Sequence, residues 1–446
     1  MTDTSSWSDA RWYDEDLQAI AGVERLRFFP QVTVSGHGSR LTTADGREVW
    51  DLSAAWTTMG FGNGNPEVAE AVSRAITQSA GASVLSGTHP EAVLLARELL
   101  DLVRTVGDDR RVYLGHAGTD ANDVAVRAVR HATGRPQVLA FEHGYHGGLG
   151  TAMAVSGLHV AAGATPDPEV VFVPYPDPYR PWTGDADTLL ASTLELVETH
   201  LSGGEVAGVL VEPIQSDGGV VVPPRGFLAG LRGLCDKYGS LLILDEVKVG
   251  LGRTGATFAH EHEGITPDLV TLGKALGGGV PLSAVVGPAS ALDSPTASAL
   301  MTTIGNAVSC AAGRAVVGLV RDGRWTRAAA ERGEQLVSAW EAYRASGRPG
   351  AARVGDVRGL GLACGVELVR PGTREPDADL TAKTLYRGWH LGVIAYPVRD
   401  NVIELTPPLV IGADELDTAL ALLMQALDDA VGGVVTDEDV AAFSGW

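Results

Sequence analysis

The chain has 446 residues, with Lys+Arg 34 against Asp+Glu 55, hydrophobic residues at 45% and charged residues at 20%. That composition excludes an intrinsically disordered chain and supplies core for about two domains. A formal net charge of −21 repels phosphate backbones and anionic lipid, which argues against a nucleic-acid or membrane partner.

The opening MTDTSSWSDARWYDEDL is polar and acidic, where a signal peptide would be basic and then apolar. It reads as a polar helix, followed by an extended segment, LRFFPQVTVSG. RLTTADGREVWDLSA then has two alternating runs around Asp45-Gly46, a dipeptide suited to a tight hairpin turn. From about residue 60 short apolar runs alternate with helical stretches: VYLG (112–115), VLAF (138–141), VVFVP (170–174), VAGVLVEP (206–213), LLILDEV (241–247), LVTLG (269–273) and PLSAVVG (281–287). Runs that are hydrophobic throughout suit strands buried on both faces, so the pattern predicts an α/β fold with a mostly parallel, doubly wound sheet. Beyond residue 311 come an Ala-rich helix, the Gly-punctuated strand pair GDVRGLGLACGVELV, a helix, NVIELTPPLVI and a last helix. Residues 61–310 are therefore expected to form a large domain, and residues 1–60 with 311–446 a smaller α+β domain. No apolar run approaches the ~20 residues that span a bilayer. Cys235, Cys310 and Cys364 are scattered and offer neither a disulfide framework nor a zinc spacing, so a cytoplasmic setting is expected.

The residues that carry chemistry fall just after predicted strands, where open α/β sheets bind ligands. Lys274 follows an apolar strand and precedes three glycines in LVTLGKALGGG. A partly desolvated lysine there suits Schiff-base chemistry; a helix-start surface lysine is the plainer alternative. Asp245 ends the most apolar strand, where a carboxylate is costly unless paired. It could hold a pyridine nitrogen protonated, or serve only as an N-cap or structural ion pair. In YLGHAGTDANDVAVRAVRHA a strand ends at Gly-Thr and a helix begins, so Gly118 and Thr119 make a phosphate seat, unless Thr119 is only a cap. Tyr145, on a Gly-flanked loop, could stack on a flat ring or simply pack on its neighbours. Phosphate seat, ring stack, ring-nitrogen partner and lysine are together what pyridoxal phosphate needs.

These segments resemble the class III aminotransferase family of fold type I pyridoxal-phosphate enzymes, from the hairpin near Asp45 to the C-terminus. The resemblance implies that Lys274 joins the cofactor, that Asp245 pairs with the pyridine nitrogen, and that Val247 and Tyr145 cover the two ring faces. Gly118 and Thr119 would seat the phosphate. In MTTIGNAVSCAA, Thr302 matches the threonine that reaches the phosphate of the neighbouring subunit, with Thr303 as the fallback, which implies a homodimer with shared sites.

Departures from the family pattern carry the functional reading. The usual glutamine after D-E-V is Lys248, and the usual EPIQGEGG is EPIQSDGG, which introduces Ser216 and Asp217. Where many members have a carboxylate-binding arginine before L-x-P-P, this chain has Glu404. A glutamate there would repel a substrate carboxylate and tolerate a neutral amide or lactam, unless it is turned away and another cation does that work. Ala117 also stands where a serine is usual. LRFFP, YPDPYRP, EPIQSDGGVVVPP, DEVKVGLGRTG, GLACGVELV and the closing FSGW resemble the family's α-amino-ε-caprolactam racemase group, which acts on amino-acid amides and lactams. That resemblance implies two-sided proton transfer at Cα by Lys274 and Asp217, with Lys248 holding Asp217 or shuttling protons itself, and Trp56 lining the lactam site. An aminotransferase acting on a 2-oxo acid is the competing reading, and half-transamination can accompany racemisation.

Overall fold

The computed structural model describes residues 7–79 and 81–443. The first six residues of the opening polar stretch, and Ser444, Gly445 and Trp446 of the closing FSGW, lie outside the described residues. The chain divides into two units: Met1–Asn65 with Ala330–Trp446, and Pro66–Ala329. The strands of the first unit are β1 (Thr33–His37), β2 (Arg40–Thr43) and β3 (Glu48–Asp51). Those of the second are β4 (Arg110–Gly115), β5 (Gln137–Phe141), β6 (Val170–Val173), β7 (Val206–Val211), β8 (Leu241–Asp245), β9 (Leu269–Leu272) and β10 (Ser283–Pro288). The first unit then resumes with β11 (Val354–Leu360), β12 (Ala363–Leu368), β13 (Val393–Ile394), β14 (Tyr396–Val398) and β15 (Val402–Leu405).

Each apolar run of the central region forms a strand of one sheet, in the order β4-β10-β9-β8-β7-β5-β6. The pairs from β9 to β6 are parallel, and β10 runs antiparallel to both its neighbours. The runs lack alternation because both faces are covered. Along β8, Leu242 and Leu244 pack with Phe227, Leu228 and Leu231 on one face, while Ile243 packs with Ala121, Val124, Ala125 and Val129 on the other. Burial at a spacing of three and four residues therefore fixes the helix Gly118–Thr133 against one face, and the helix Phe227–Tyr238 against the opposite one. This is a doubly wound α/β sheet of the class the sequence predicts. The units differ from the expected boundaries at 60 and 310: the second runs from Pro66 to Ala329. The helix Ala307–Asp322 stays with the second unit, because Ala311 packs with Ala71 and Ala75 of the helix Pro66–Gln78.

In the first unit β1-β2-β3-β13 form one sheet and β11-β12-β15-β14 another. The hairpin at Asp45-Gly46 turns with Gly46 at φ +79°, where glycine avoids the Cβ penalty. Its return strand runs parallel to β13, with Trp50 opposite Val393 and Asp51 opposite Ile394, so both ends of the chain build one unit. Among the described residues no helix is long and apolar enough to cross a membrane.

Candidate active site

β8 delivers Asp245 at its carboxyl end, 4% exposed. A buried charge of this kind is tolerated only when its oxygens are satisfied. Asp245 Oδ2 accepts from Asn122 Nδ2 at 2.7 Å and from His146 Nδ1 at 2.8 Å, and Oδ1 accepts from the Val247 amide at 3.1 Å. Asn122 is itself oriented, because its Oδ1 accepts from Thr271 Oγ1 at 2.8 Å. The carboxylate is thus fixed from three elements at once: the helix Gly118–Thr133, the Tyr145-His146 loop and β9.

The same helix begins at Gly118 without a side-chain cap from Ala117, and the amides of a helix start are suited to an anion. A Cβ built on Gly118 would stand 2.7 Å from Val247 Cγ1, and one on Gly273 would stand 3.1 Å from the Gly118 nitrogen. Both glycines are therefore needed to bring the end of β9, the helix start and Val247 together. Ala117 offers no side-chain cap, and Asp120 instead accepts from the Ala117 amide at 3.3 Å. Asp120 accepts from the His116 amide at 2.7 Å and from Ser283 Oγ at 2.5 Å. Thr119 Oγ1 accepts from the Gly148 amide at 3.3 Å. In Gly118→Ala the methyl must displace Val247, at an overpacking cost of about 1–3 kcal/mol. The expected result is at least a roughly tenfold weaker cofactor affinity in an absorbance titration, with the far-UV spectrum unchanged.

Lys274 follows directly, at φ +44°, a left-handed conformation that a lysine rarely takes. Lys248 and Asp217 form a buried ion pair, Nζ to Oδ1 at 3.1 Å, with side chains 5% and 8% exposed. Burial pushes the Asp217 carboxyl up, but Lys248 and then Lys274 outweigh it and hold the group below the usual carboxylate range. The loop carrying Asp217 is closed by reciprocal backbone bonds between Gln215 and Val221, at 3.0 and 2.8 Å.

Glu212 ties this loop to the loop that carries Tyr145. Its Oε1 accepts from the Tyr145 amide and its Oε2 from the Ser216 amide, each at 3.0 Å. Burial, reinforced by Asp245 and Asp217 and opposed by His146, pushes the Glu212 carboxyl up to about 7. The Tyr145 ring lies 5.3 Å from that of His159, and burial together with Asp217 raises its phenol.

Lys274, Asp217, Lys248, Tyr145, Asp245, Val247, Gly118 and Thr119 all belong to the second unit. Thr302 is exposed, while Thr303 Oγ1 is engaged by His116 Nε2 of its own chain at 2.8 Å. Asn122, His146, Thr271 and Glu212 escape the sequence reading. Two cues were available: Asn122 is one helical turn after Gly118, and His146 directly follows Tyr145.

Trp56 and Glu404 lie in the first unit. Trp56 sits 4.8 Å, centroid to centroid, from Tyr396, which pairs directly with Glu404 across β14 and β15. Glu404 is buried, at 2% exposure.

A family model described as Aminotransferase class-III matches residues 23–427. The chain is 33% identical to an alanine/serine racemase of Pyrococcus horikoshii, over 92% of this chain and 88% of that one. It is 38% identical to an acetylornithine aminotransferase of Corynebacterium efficiens, over 89% and 92%. Among solved structures, an amine transaminase from an uncultivated Pseudomonas species in its PLP-bound form matches with a TM-score of 0.80 and 28% identity, over 90% and 95% of the two chains.

Proposed function

The chain belongs to the class-III aminotransferase family, and on that premise we propose that it is a racemase of amino-acid amides or lactams. The observation that carries this reading is the buried Asp217–Lys248 pair at 3.1 Å, in the two loops where the sequence leaves the aminotransferase pattern.

The cofactor is pyridoxal 5′-phosphate. The residues present fit it. A helix start suited to an anion lies beside a cradle that a Cβ at Gly118 would fill, and a satisfied, buried carboxylate stands at the end of the neighbouring strand. On the proposed assignment Gly118 and Thr119 hold the phosphate, Asp245 the pyridine nitrogen, Val247 and Tyr145 the ring faces, and Lys274 the carbonyl carbon. When bound, the cofactor supplies an electron-withdrawing ring that stabilises negative charge at the substrate's Cα.

Inverting Cα needs a proton taken from one face and another returned to the opposite face. We assign Lys274 Nζ to one face and the Asp217 carboxyl to the other, with Lys248 holding Asp217 ionised and oriented. A buried aspartate without its lysine would favour the neutral acid. In Lys248→Met the burial of Asp217 is no longer opposed by the neighbouring ammonium, so the Asp217 pKa rises. The sign follows: the carboxylate form is lost at higher pH, and the acidic limb of kcat/KM moves toward neutrality. A pH–rate profile of the variant checks this; an unmoved limb would dissociate Lys248 from Asp217.

Trp56 and Glu404 are proposed to meet the substrate's amide or lactam portion, Glu404 disfavouring a free carboxylate. Thr302 is proposed to reach the phosphate of a neighbouring subunit in a homodimer, a reading supported by the engagement of Thr303 with His116.

The test uses the cofactor-loaded protein with one enantiomer of an amino-acid amide or of the cyclic lactam of lysine. Chirality is followed with and without a 2-oxo acid. Loss of chirality that needs no oxo acid is expected. Stoichiometric amino transfer without loss of chirality would instead establish an aminotransferase, the reading favoured by the 38% identical relative.

A further inference from the structure

In the first unit Ala54, Ala55, Trp56 and Thr57 have φ of 48°, 48°, 58° and 69°, four consecutive left-handed residues and none of them glycine. A non-glycine residue in this region is strained, so the turn persists only because its surroundings over-determine it. Asp51, 1% exposed, does most of this. Its Oδ1 accepts from the Ser53 amide at 3.0 Å, Ser53 Oγ at 2.9 Å and the Ala54 amide at 2.8 Å, and its Oδ2 accepts from Asn63 Nδ2 at 3.3 Å. The Thr57 amide then donates to the Ser53 carbonyl at 2.9 Å, and Thr406 Oγ1 donates to the same carbonyl at 3.2 Å.

What this strain delivers is the Trp56 ring, laid against Tyr396 at 4.8 Å and 33°. Tyr396 is held in turn, by Phe28 at 5.5 Å, Phe29 at 6.1 Å and a hydrogen bond to Ser53, the residue that starts the turn. Residues directly opposite on antiparallel strands project from one face, so the Tyr396–Glu404 pairing puts both side chains on the same face of the sheet. Tyr396 thus joins the two residues read above as substrate contacts. Arg27, the cation whose charge the phenol feels, is committed to Asp16 at 3.2 Å.

We propose that Tyr396 is a specificity-determining residue: with Trp56 and Glu404 it forms an aromatic, anionic wall that accepts the N–H groups of an amide or lactam and rejects a carboxylate. Ring faces carry negative potential, and a carboxylate beside them and beside Glu404 is repelled, whereas amide N–H groups find acceptors. The proposal rests on the reading of Trp56 and Glu404 as substrate contacts.

Its test reads binding by the change in the cofactor's visible absorbance, which registers leucinamide or leucine whichever reaction follows. A failed racemase reading would show separately, in the chirality assay. The holoenzyme is expected to bind leucinamide more tightly than leucine. Tyr396→Leu should shrink that preference by about tenfold or more, mainly by weakening leucinamide, while Tyr396→Phe, which keeps the ring on Trp56, should stay within about threefold of the parent. Glu404→Gln provides a second arm and should tighten leucine. Tighter binding of leucine than leucinamide by the parent would overturn the proposal. So would an unchanged preference in Tyr396→Leu, or unchanged leucine affinity in Glu404→Gln.

Discussion

Lys274→Ala should lower racemisation by roughly four orders of magnitude or more, because on the proposed assignment one truncation removes both the cofactor's covalent anchor and a Cα proton carrier. The packing around the site should survive it. The close approach of Gly273, Gly118 and Val247 depends on backbone and on the valine, not on the lysine side chain. Pyridoxal phosphate should still bind, held by the helix start and by Asp245, but reversibly. Borohydride treatment distinguishes the two states. In the parent enzyme the label should survive denaturation; in the variant it should dialyse away. Retention of the label in Lys274→Ala would move the anchor to another amine and withdraw the assignment. The variant should also release part of the constraint on Asp217, since Lys274 is the second cation holding that carboxyl down.

Asp217→Asn should lower racemisation by about two to four orders of magnitude with the cofactor's visible band intact. The replacement preserves shape and removes the charge. It also removes the counter-charge from the buried ammonium of Lys248, 3.1 Å away, and breaking a buried ion pair costs about 3–5 kcal/mol. The single variant is therefore expected to melt well below the parent. The double variant Asp217→Asn/Lys248→Met removes that unbalanced charge and should regain most of the stability without regaining activity. Such a cycle separates structure from chemistry. Recovery of turnover along with stability in the double variant would make Asp217 a structural partner of Lys248 and nothing more.

Much of the fold is legible in the sequence for a physical reason. Runs such as LLILD and LVTL are apolar at every position because both faces of β8 and β9 are covered, and a polar residue at such a run's end, Asp245, is conspicuous. Gly118 and Lys274 stand out in the same way, at strand-to-helix junctions. The partners that make Asp245 tolerable were not legible. Asn122, His146 and Thr271 come from three distant segments, and no local pattern announces a hydrogen bond across 123 residues. Glu212 was hidden for a similar reason, its role being to join two loops by their amides. The left-handed turn at Ala54–Thr57 was beyond reach: with no glycine or asparagine in AAWT, local propensity points away from the conformation that Asp51 imposes. Tyr396 went unnoticed because β14 is only 3 residues long and its pairing with Glu404 depends on register. The boundary at 310 missed because the helix Ala307–Asp322 owes its place to packing on Ala71 and Ala75, which an Ala-rich sequence does not advertise.

The central claim is that two different side chains serve the two faces of Cα, and exchange in deuterated water tests it most directly. Each enantiomer of an amino-acid amide is incubated separately with the parent holoenzyme and with Asp217→Asn, and deuterium at Cα is followed together with configuration. The parent should incorporate deuterium and lose configuration from either enantiomer. Asp217→Asn should exchange the α-hydrogen of one enantiomer with retention, through Lys274 alone, and leave the other nearly inert. Equal loss of exchange from both enantiomers, or continued inversion at the parental rate, would contradict the two-carrier account.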